Sequence, residues 1–121
     1  MTAQVGHIID ISATFRDITG AKYPTKILGN RTKPPIGKSL LPILKGKQRE
    51  PHAEIYWHFN RANAVRQGDL KVVRAGKDWE LYDLKADPTE MHDLAKERPE
   101  KTAELAQMWE DWRQNYKKKP K

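Results

Sequence analysis

Residues 53–84, AEIYWHFNRANAVRQGDLKVVRAGKDWELYDL, decide how the chain is read. A period of two places Ala53, Ile55, Trp57 and Phe59 on one side of a strand and Glu54, Tyr56 and His58 on the other. A second strand is expected over residues 62–66, and Gln67-Gly68-Asp69 is a hairpin signal. A third strand over 70–75, a glycine turn at Ala75-Gly76-Lys77 and a fourth strand over 79–84 complete the run. Four short strands joined by short turns predict an antiparallel meander. Trp57, Trp79 and Tyr82 are expected to supply much of its core.

The flanks carry helical patterns. Downstream, Asp87-Pro88-Thr89-Glu90 is a turn or helix-start signal, with Asp87 as cap, Pro88 at the first helical position and Glu90 completing a capping box. Pro99 opens a helix to about residue 116. Its Leu105, Trp109, Trp112 and Tyr116 are spaced 4, 3, 4 and form one stripe opposite Glu100, Lys101, Glu104, Glu110, Asp111 and Arg113. A Trp stripe at that spacing is core rather than a ligand platform, so the helix is expected to lie across one sheet face. Upstream, Ile8, Ile11, Phe15 and Ile18 are spaced 3, 4, 3, which predicts a helix over about 8–19 with Gly20 suited to its left-handed cap. Such a helix must pack on something. Pro24, Gly29, Asn30, Pro34 and Pro35 mark residues 23–36 as loop. In residues 37–46, Ser39 is expected to cap a short helical turn containing Pro42, with Leu40, Leu41 and Leu44 as its buried side. Residues 45–52 read as charged and exposed.

A length of 121 residues is a prior for one domain. The apolar share of 37% against 32% charged is lean for a self-contained core and fits a piece that leans on a neighbour. The net charge of +7 favours polyanions: nucleic acid, an anionic membrane surface or a sulfated glycan. Four positive charges sit in the terminal KKKPK, read as a solvated tail. The absence of cysteine excludes disulfides, Cys-based zinc sites and a Cys nucleophile. No apolar run approaches the roughly 20 residues of a membrane helix, and MTAQVGHIID lacks the pattern of a signal peptide. His7, His52, His58 and His92 show no ligand spacing, so no metal site is expected within the chain. Ser12 and Ser39 stand in no nucleophile motif, and there is no P-loop or G-x-G-x-x-G. Arg61, Arg66, Lys71 and Arg74 are either the solvated side of a two-faced sheet or an anion-binding face. Asn60 and Arg61 differ in lying at the first turn of the sheet beside His58, where side chains reach outward from a rigid scaffold.

AVRQGDLKVV followed by WELYDLKADPTEMHDLA resembles the C-terminal end of the arylsulfatase family. GKSLLPILKG supports the same resemblance, and HIIDISATFRDITG looks like the last large helix of that family's catalytic domain. Order and spacing match across nearly the whole chain. The resemblance implies sulfate-ester hydrolysis on a large α/β domain like that of alkaline phosphatase, followed by a four-stranded antiparallel sheet covered by a long helix. The chain is therefore expected to be α+β, with residues 1–50 ending the catalytic domain and residues 51–121 forming the C-terminal subdomain. The family's C/S-x-P-x-R nucleophile, converted to formylglycine, and its calcium ligands would all precede Ile8. Calcium and formylglycine are accordingly expected outside this chain, which would hold no catalytic residue. Ser12 and Arg16 have the separation of that motif, but Thr14 stands where proline belongs. Ala13, His58 and Arg61 depart from the family's usual Pro, Glu and Gly. The last two bear on substrate choice, because the turn they frame can approach the substrate mouth. His58, Asn60 and Arg61 are thus the expected substrate contacts. The implied partners are the sulfatase catalytic domain and a sulfate ester, with no role for a membrane and nucleic acid disfavoured. A periplasmic or secreted parent protein is compatible with the family. The rival reading is a free-standing, non-catalytic basic module that binds a sulfated glycan or nucleic acid.

Overall fold

The computed structural model describes residues 2–117, which fall into two compact units, 2–52 and 53–117. In the first, α1 (Ile9–Thr19) ends at Gly20 with φ +70°, as the glycine predicts. Its packing is inverted relative to an ordinary amphipathic helix. Asp10, Ala13 and Thr14 are buried, while the apolar stripe is exposed: Ile8 75%, Ile11 48%, Phe15 63% and Ile18 57%. Thr14 Oγ1 donates to the Asp10 carbonyl at 2.7 Å and accepts the Leu40 amide at 2.8 Å, tying α1 to the chain beyond residue 37.

Residues 23–36 are not all loop. They contain β1 (Lys26–Ile27) and β2 (Asn30–Arg31), paired antiparallel. The turn between them, Leu28-Gly29, has positive φ at both positions, 48° and 83°. Such a turn matches the strand twist, but leucine rarely adopts it, so only Gly29 advertised the hairpin. α2 (Leu41–Leu44) follows, with Ser39 Oγ accepting the Leu41 amide at 3.1 Å. Leu40 and Leu41 are half-buried, whereas Leu44 is exposed, contrary to expectation, because this one-turn helix ends at it.

The second unit is the expected meander: β3 (Glu54–Phe59), β4 (Ala62–Gln67), β5 (Leu70–Arg74) and β6 (Glu80–Asp83), all antiparallel and adjacent in chain order. α3 (Pro99–Lys117) lies against one face. The core there is Val65, Val72 and Leu81 from the sheet with Leu105 and Trp109 from the helix. Burial of side chains of this size stabilises by roughly 1.5–3 kcal/mol each. Tyr56 stacks on Trp112 with centroids 5.0 Å apart, and Trp109 Nε1 donates to the Trp57 carbonyl at 2.9 Å. Trp79 joins this core as expected. Trp57 and Tyr82 do not. Their strand positions alternate with Tyr56 and Leu81, so their side chains lie on the other face, with Ile55 and Ala64. The helical stripe is graded: Leu105 and Trp109 are buried, Trp112 is half-buried and Tyr116 is 60% exposed.

Asp87 makes a turn rather than a helix start, accepting the Met91 and His92 amides at 2.7 and 2.8 Å. Glu90 completes no capping box; with φ +57° it pairs instead with Lys71 at 2.6 Å. Leu94 N–H then donates to the Leu81 carbonyl, and Leu81 N–H to Asp93 Oδ1, which stitches this segment along β6 before Pro99 opens α3.

Candidate functional site

The β3–β4 turn is a two-residue connection, Asn60-Arg61. Asn60 has φ +53°, a left-handed conformation that asparagine tolerates better than most residues. The turn is extended outward by exposed Phe59, and Arg61 is exposed with no ion-pair partner among the described residues. His58 stands directly opposite Asn63 in the register. Its Nδ1 is 2.8 Å from Asn63 Oδ1, while Asn63 Nδ2 donates to the Arg61 carbonyl at 3.3 Å. An amide oxygen only accepts, so Nδ1 is the donor of this bond, and Nε2 is left free of it. The His58 ring also tilts against Trp109, with centroids 5.7 Å apart. The three sequence-predicted residues therefore share one end of the sheet. His58 and Arg61 are joined through buried Asn63, and Asn60 shapes the turn between them. Sequence reading missed Asn63; the only signal was its place across the hairpin from His58.

The other basic residues of the sheet do not make a common anion face. Arg74 lies on the α3 side, 3.1 Å from Glu110 and with its guanidinium 4.5 Å from the Trp79 ring centroid. Lys71, on the opposite side, pairs with Glu90 and lies 5.8 Å from the Trp57 centroid. Arg66 donates to the Gly68 carbonyl. The terminal KKKPK lies outside the described residues from residue 118 onward.

A second polar cluster was not legible in the sequence. Asp10 is fully buried and accepts the His7 amide at 2.9 Å, the Lys38 amide at 2.8 Å, Arg49 Nη2 at 2.8 Å and His52 Nε2 at 2.7 Å. Arg49 further donates to the Lys38 and Val5 carbonyls. The side chains of Arg49 and His52 are only 5% and 7% exposed, so residues 45–52 are not simply a solvated charged run. Burial raises the Asp10 carboxyl pKa, but the Lys38 and His7 amides together with Arg49 and His52 outweigh it and hold the group at about 2. All these partners lie within the first unit, and the cluster clamps residues 37–52 onto α1. Both Asp10 oxygens are filled by these donors and only the buried Arg49 Nε is left without a hydrogen-bond partner among the described residues, which suits a structural lock rather than chemistry on a substrate. Among the described residues, no group of three or more His, Asp or Glu is placed to hold a metal ion.

A family model described as N-sulphoglucosamine sulphohydrolase, C-terminal, matches residues 2–118. An N-acetylglucosamine-6-O-sulfatase of Bacteroides thetaiotaomicron is 30% identical over 126 residues, covering 90% of this chain and 21% of that protein. A solved structure of a protein in complex with its substrate D-glucosamine-2-N,6-O-disulfate is similar with a TM-score of 0.61 at 29% identity, over 89% of this chain and 24% of that one. A 2-O GAG sulfatase is similar with a TM-score of 0.59 at 28% identity, over 85% and 23%. The chain spans about a fifth of the length of the curated relatives it matches.

Proposed function

The chain belongs to the family of sulfatase C-terminal domains, and from that premise we propose that it serves a sulfuric ester hydrolase by packing on the catalytic domain and shaping the substrate mouth. The observation that carries the packing role is the inverted helix. α1 turns Ile8, Ile11, Phe15 and Ile18 outward and its small and polar side inward. An apolar face of that kind is stable when another body covers it. The occupant is the catalytic domain, of which residues 1–50 would be the last helix and connecting loops and residues 51–121 the appended subdomain. The nucleophile, as formylglycine, and calcium belong to that catalytic part.

Substrate contact is assigned to the β3–β4 turn. Arg61 offers a fixed positive charge and paired N–H donors to a sulfate group. His58 Nε2 is suited to accept a hydrogen bond from a substrate hydroxyl, since Asn63 holds the ring by Nδ1. The Asn60 amide offers both a donor and an acceptor.

Two assays with a chromogenic sulfate ester and calcium test this reading. The chain alone is expected to show no turnover. The B. thetaiotaomicron N-acetylglucosamine-6-O-sulfatase, cut before its matching segment, is expected to lose activity and to regain it when this chain is fused in its place. Turnover by the isolated chain contradicts the division of labour, and a folded but inactive fusion contradicts the packing role. In an active fusion, Arg61→Ala is expected to raise KM about tenfold or more with a smaller change in kcat.

A further inference from the structure

The positive charge of the chain is concentrated where composition did not place it. Residues 20–49 carry eight Lys and Arg and no Asp or Glu, whereas the rest, tail included, holds fifteen basic and sixteen acidic residues. Within that stretch the β1–β2 register sets Lys26 directly opposite Arg31. Like charges facing each other across two strands destabilise the pair, and neither has an acidic partner among the described residues. Beside them is an open groove of about 480 Å³ lined by Tyr23, Lys26, Arg31, Thr32, Pro34 and Pro35. Tyr23 is 39% exposed, with the Arg16 guanidinium 5.3 Å from its ring centroid. Thr32 fixes the base of the hairpin, its amide donating to the Thr25 carbonyl at 3.0 Å and its hydroxyl to the Pro24 carbonyl. The tip holds Leu28 in the left-handed region, a strained conformation of the sort retained at functional sites.

We propose that this hairpin groove binds a sulfated polysaccharide segment, with Lys26 and Arg31 meeting its sulfate groups and Tyr23, Pro34 and Pro35 meeting the apolar faces of its sugar rings. An anion between Lys26 and Arg31 turns their repulsion into two favourable contacts. Single-stranded nucleic acid is the weaker fit, because it is held by a series of aromatic platforms and the groove offers one. The choice of a sulfated glycan also rests on the proposed function; the cation pair and groove do not.

Fluorescence-detected binding of heparin, of desulfated heparin and of a thymidine oligonucleotide to the 121-residue chain, over a range of NaCl concentrations, tests the proposal. Heparin is expected to bind with an affinity that falls with salt, and desulfated heparin much more weakly. Lys26→Ala/Arg31→Ala is expected to weaken heparin at least about tenfold and to flatten the salt dependence by about two released ions. Lys85→Ala/Lys96→Ala, an equal charge loss in the other unit, should change affinity less than about twofold. Both pairs are exposed, so circular dichroism should be unchanged. The proposal fails if the chain binds no heparin, if both double variants weaken equally, or if the oligonucleotide binds as tightly as heparin. None of these outcomes touches the turnover assays, which test the sulfatase reading separately.

Discussion

Asp10→Asn tests the polar lock of the first unit. Four donors converge on the two Asp10 oxygens, and one of them, Arg49, carries its charge on a side chain only 5% exposed. Asparagine keeps one oxygen and turns an NH₂ group toward donors. Arg49 would retain only the Lys38 and Val5 carbonyls. Breaking a buried pair by removing one partner costs about 3–5 kcal/mol, and the retained carbonyl contacts set the expectation near 3 kcal/mol. A pH signature accompanies it. The folded carboxyl titrates at about 2 against an ordinary 3.8, so the folded state favours the charged form. Its contribution is present above about pH 4 and is lost as pH falls toward 2, on the order of 1–2 kcal/mol. The carboxamide of the variant does not titrate, so that limb should vanish. The assay is native-state hydrogen exchange of the α1 amides with urea, at neutral pH and down the acid limb. All four tryptophans lie in residues 57–112, so their fluorescence reads the other unit separately. A change below about 1 kcal/mol in α1 opening, or parallel acid limbs in wild type and variant, would refute the reasoning.

A Cβ at Gly37 would overlap the Ile9 carbonyl oxygen, and backbone cannot yield as a flexible side chain does. Gly37→Ala should therefore destabilise α1 by at least about 2 kcal/mol in the same exchange experiment; wild-type protection would show that residues 37 and 9 are not so close. Trp109→Phe removes the donor to the Trp57 carbonyl and part of the core volume, and should lower unfolding free energy by about 2–4 kcal/mol in urea melts followed by the remaining tryptophans. A shift under about 0.5 kcal/mol would mean that α3 is not seated through this ring. Tyr82 donates to Glu80 at 2.8 Å, and that bond, with burial, raises its hydroxyl to about 12. The raised pKa contributes stability below pH 10 that is lost between about 10 and 12. Ultraviolet titration should lose its latest phenolate in Tyr82→Phe, while Tyr56, also raised by burial, still ionises late; a late limb that Tyr82→Phe leaves unchanged would count against it.

The meander and its helix were legible because each depends on local pattern. The period of two in EIYWHF, the glycine turn at Gly68 and the 4, 3, 4 spacing from Leu105 to Tyr116 are written in neighbouring residues. Which sheet face carried the core was not, because both sides of β3 offer aromatic residues and only the seating of α3 on Tyr56 decides between them. α1 was legible, as was the need of its apolar stripe for a covering body, while its burial of Asp10, Ala13 and Thr14 on the other side was not. The Asp10 lock joins residues 7, 38, 49 and 52 to Asp10 by contacts that span up to 42 positions, and long-range polar contacts leave no periodic trace. The β1–β2 hairpin hid behind Leu28, an improbable residue for its backbone conformation. The β3–β4 turn was legible in position, while its support by Asn63 needed the register.

The central claim is that the outward apolar side of α1 is an interface for the catalytic domain. Binding of an apolar fluorescent dye to the isolated chain measures it most directly, comparing wild type with Ile11→Lys/Phe15→Lys, two exposed positions on that side. Strong dye fluorescence in the wild type, largely lost in the variant with helix content unchanged and largely lost when the chain is fused to a catalytic domain, is the expected result. A wild-type chain that binds no dye and unfolds cooperatively as a monomer, or a fusion that binds dye as strongly as the isolated chain, would contradict it.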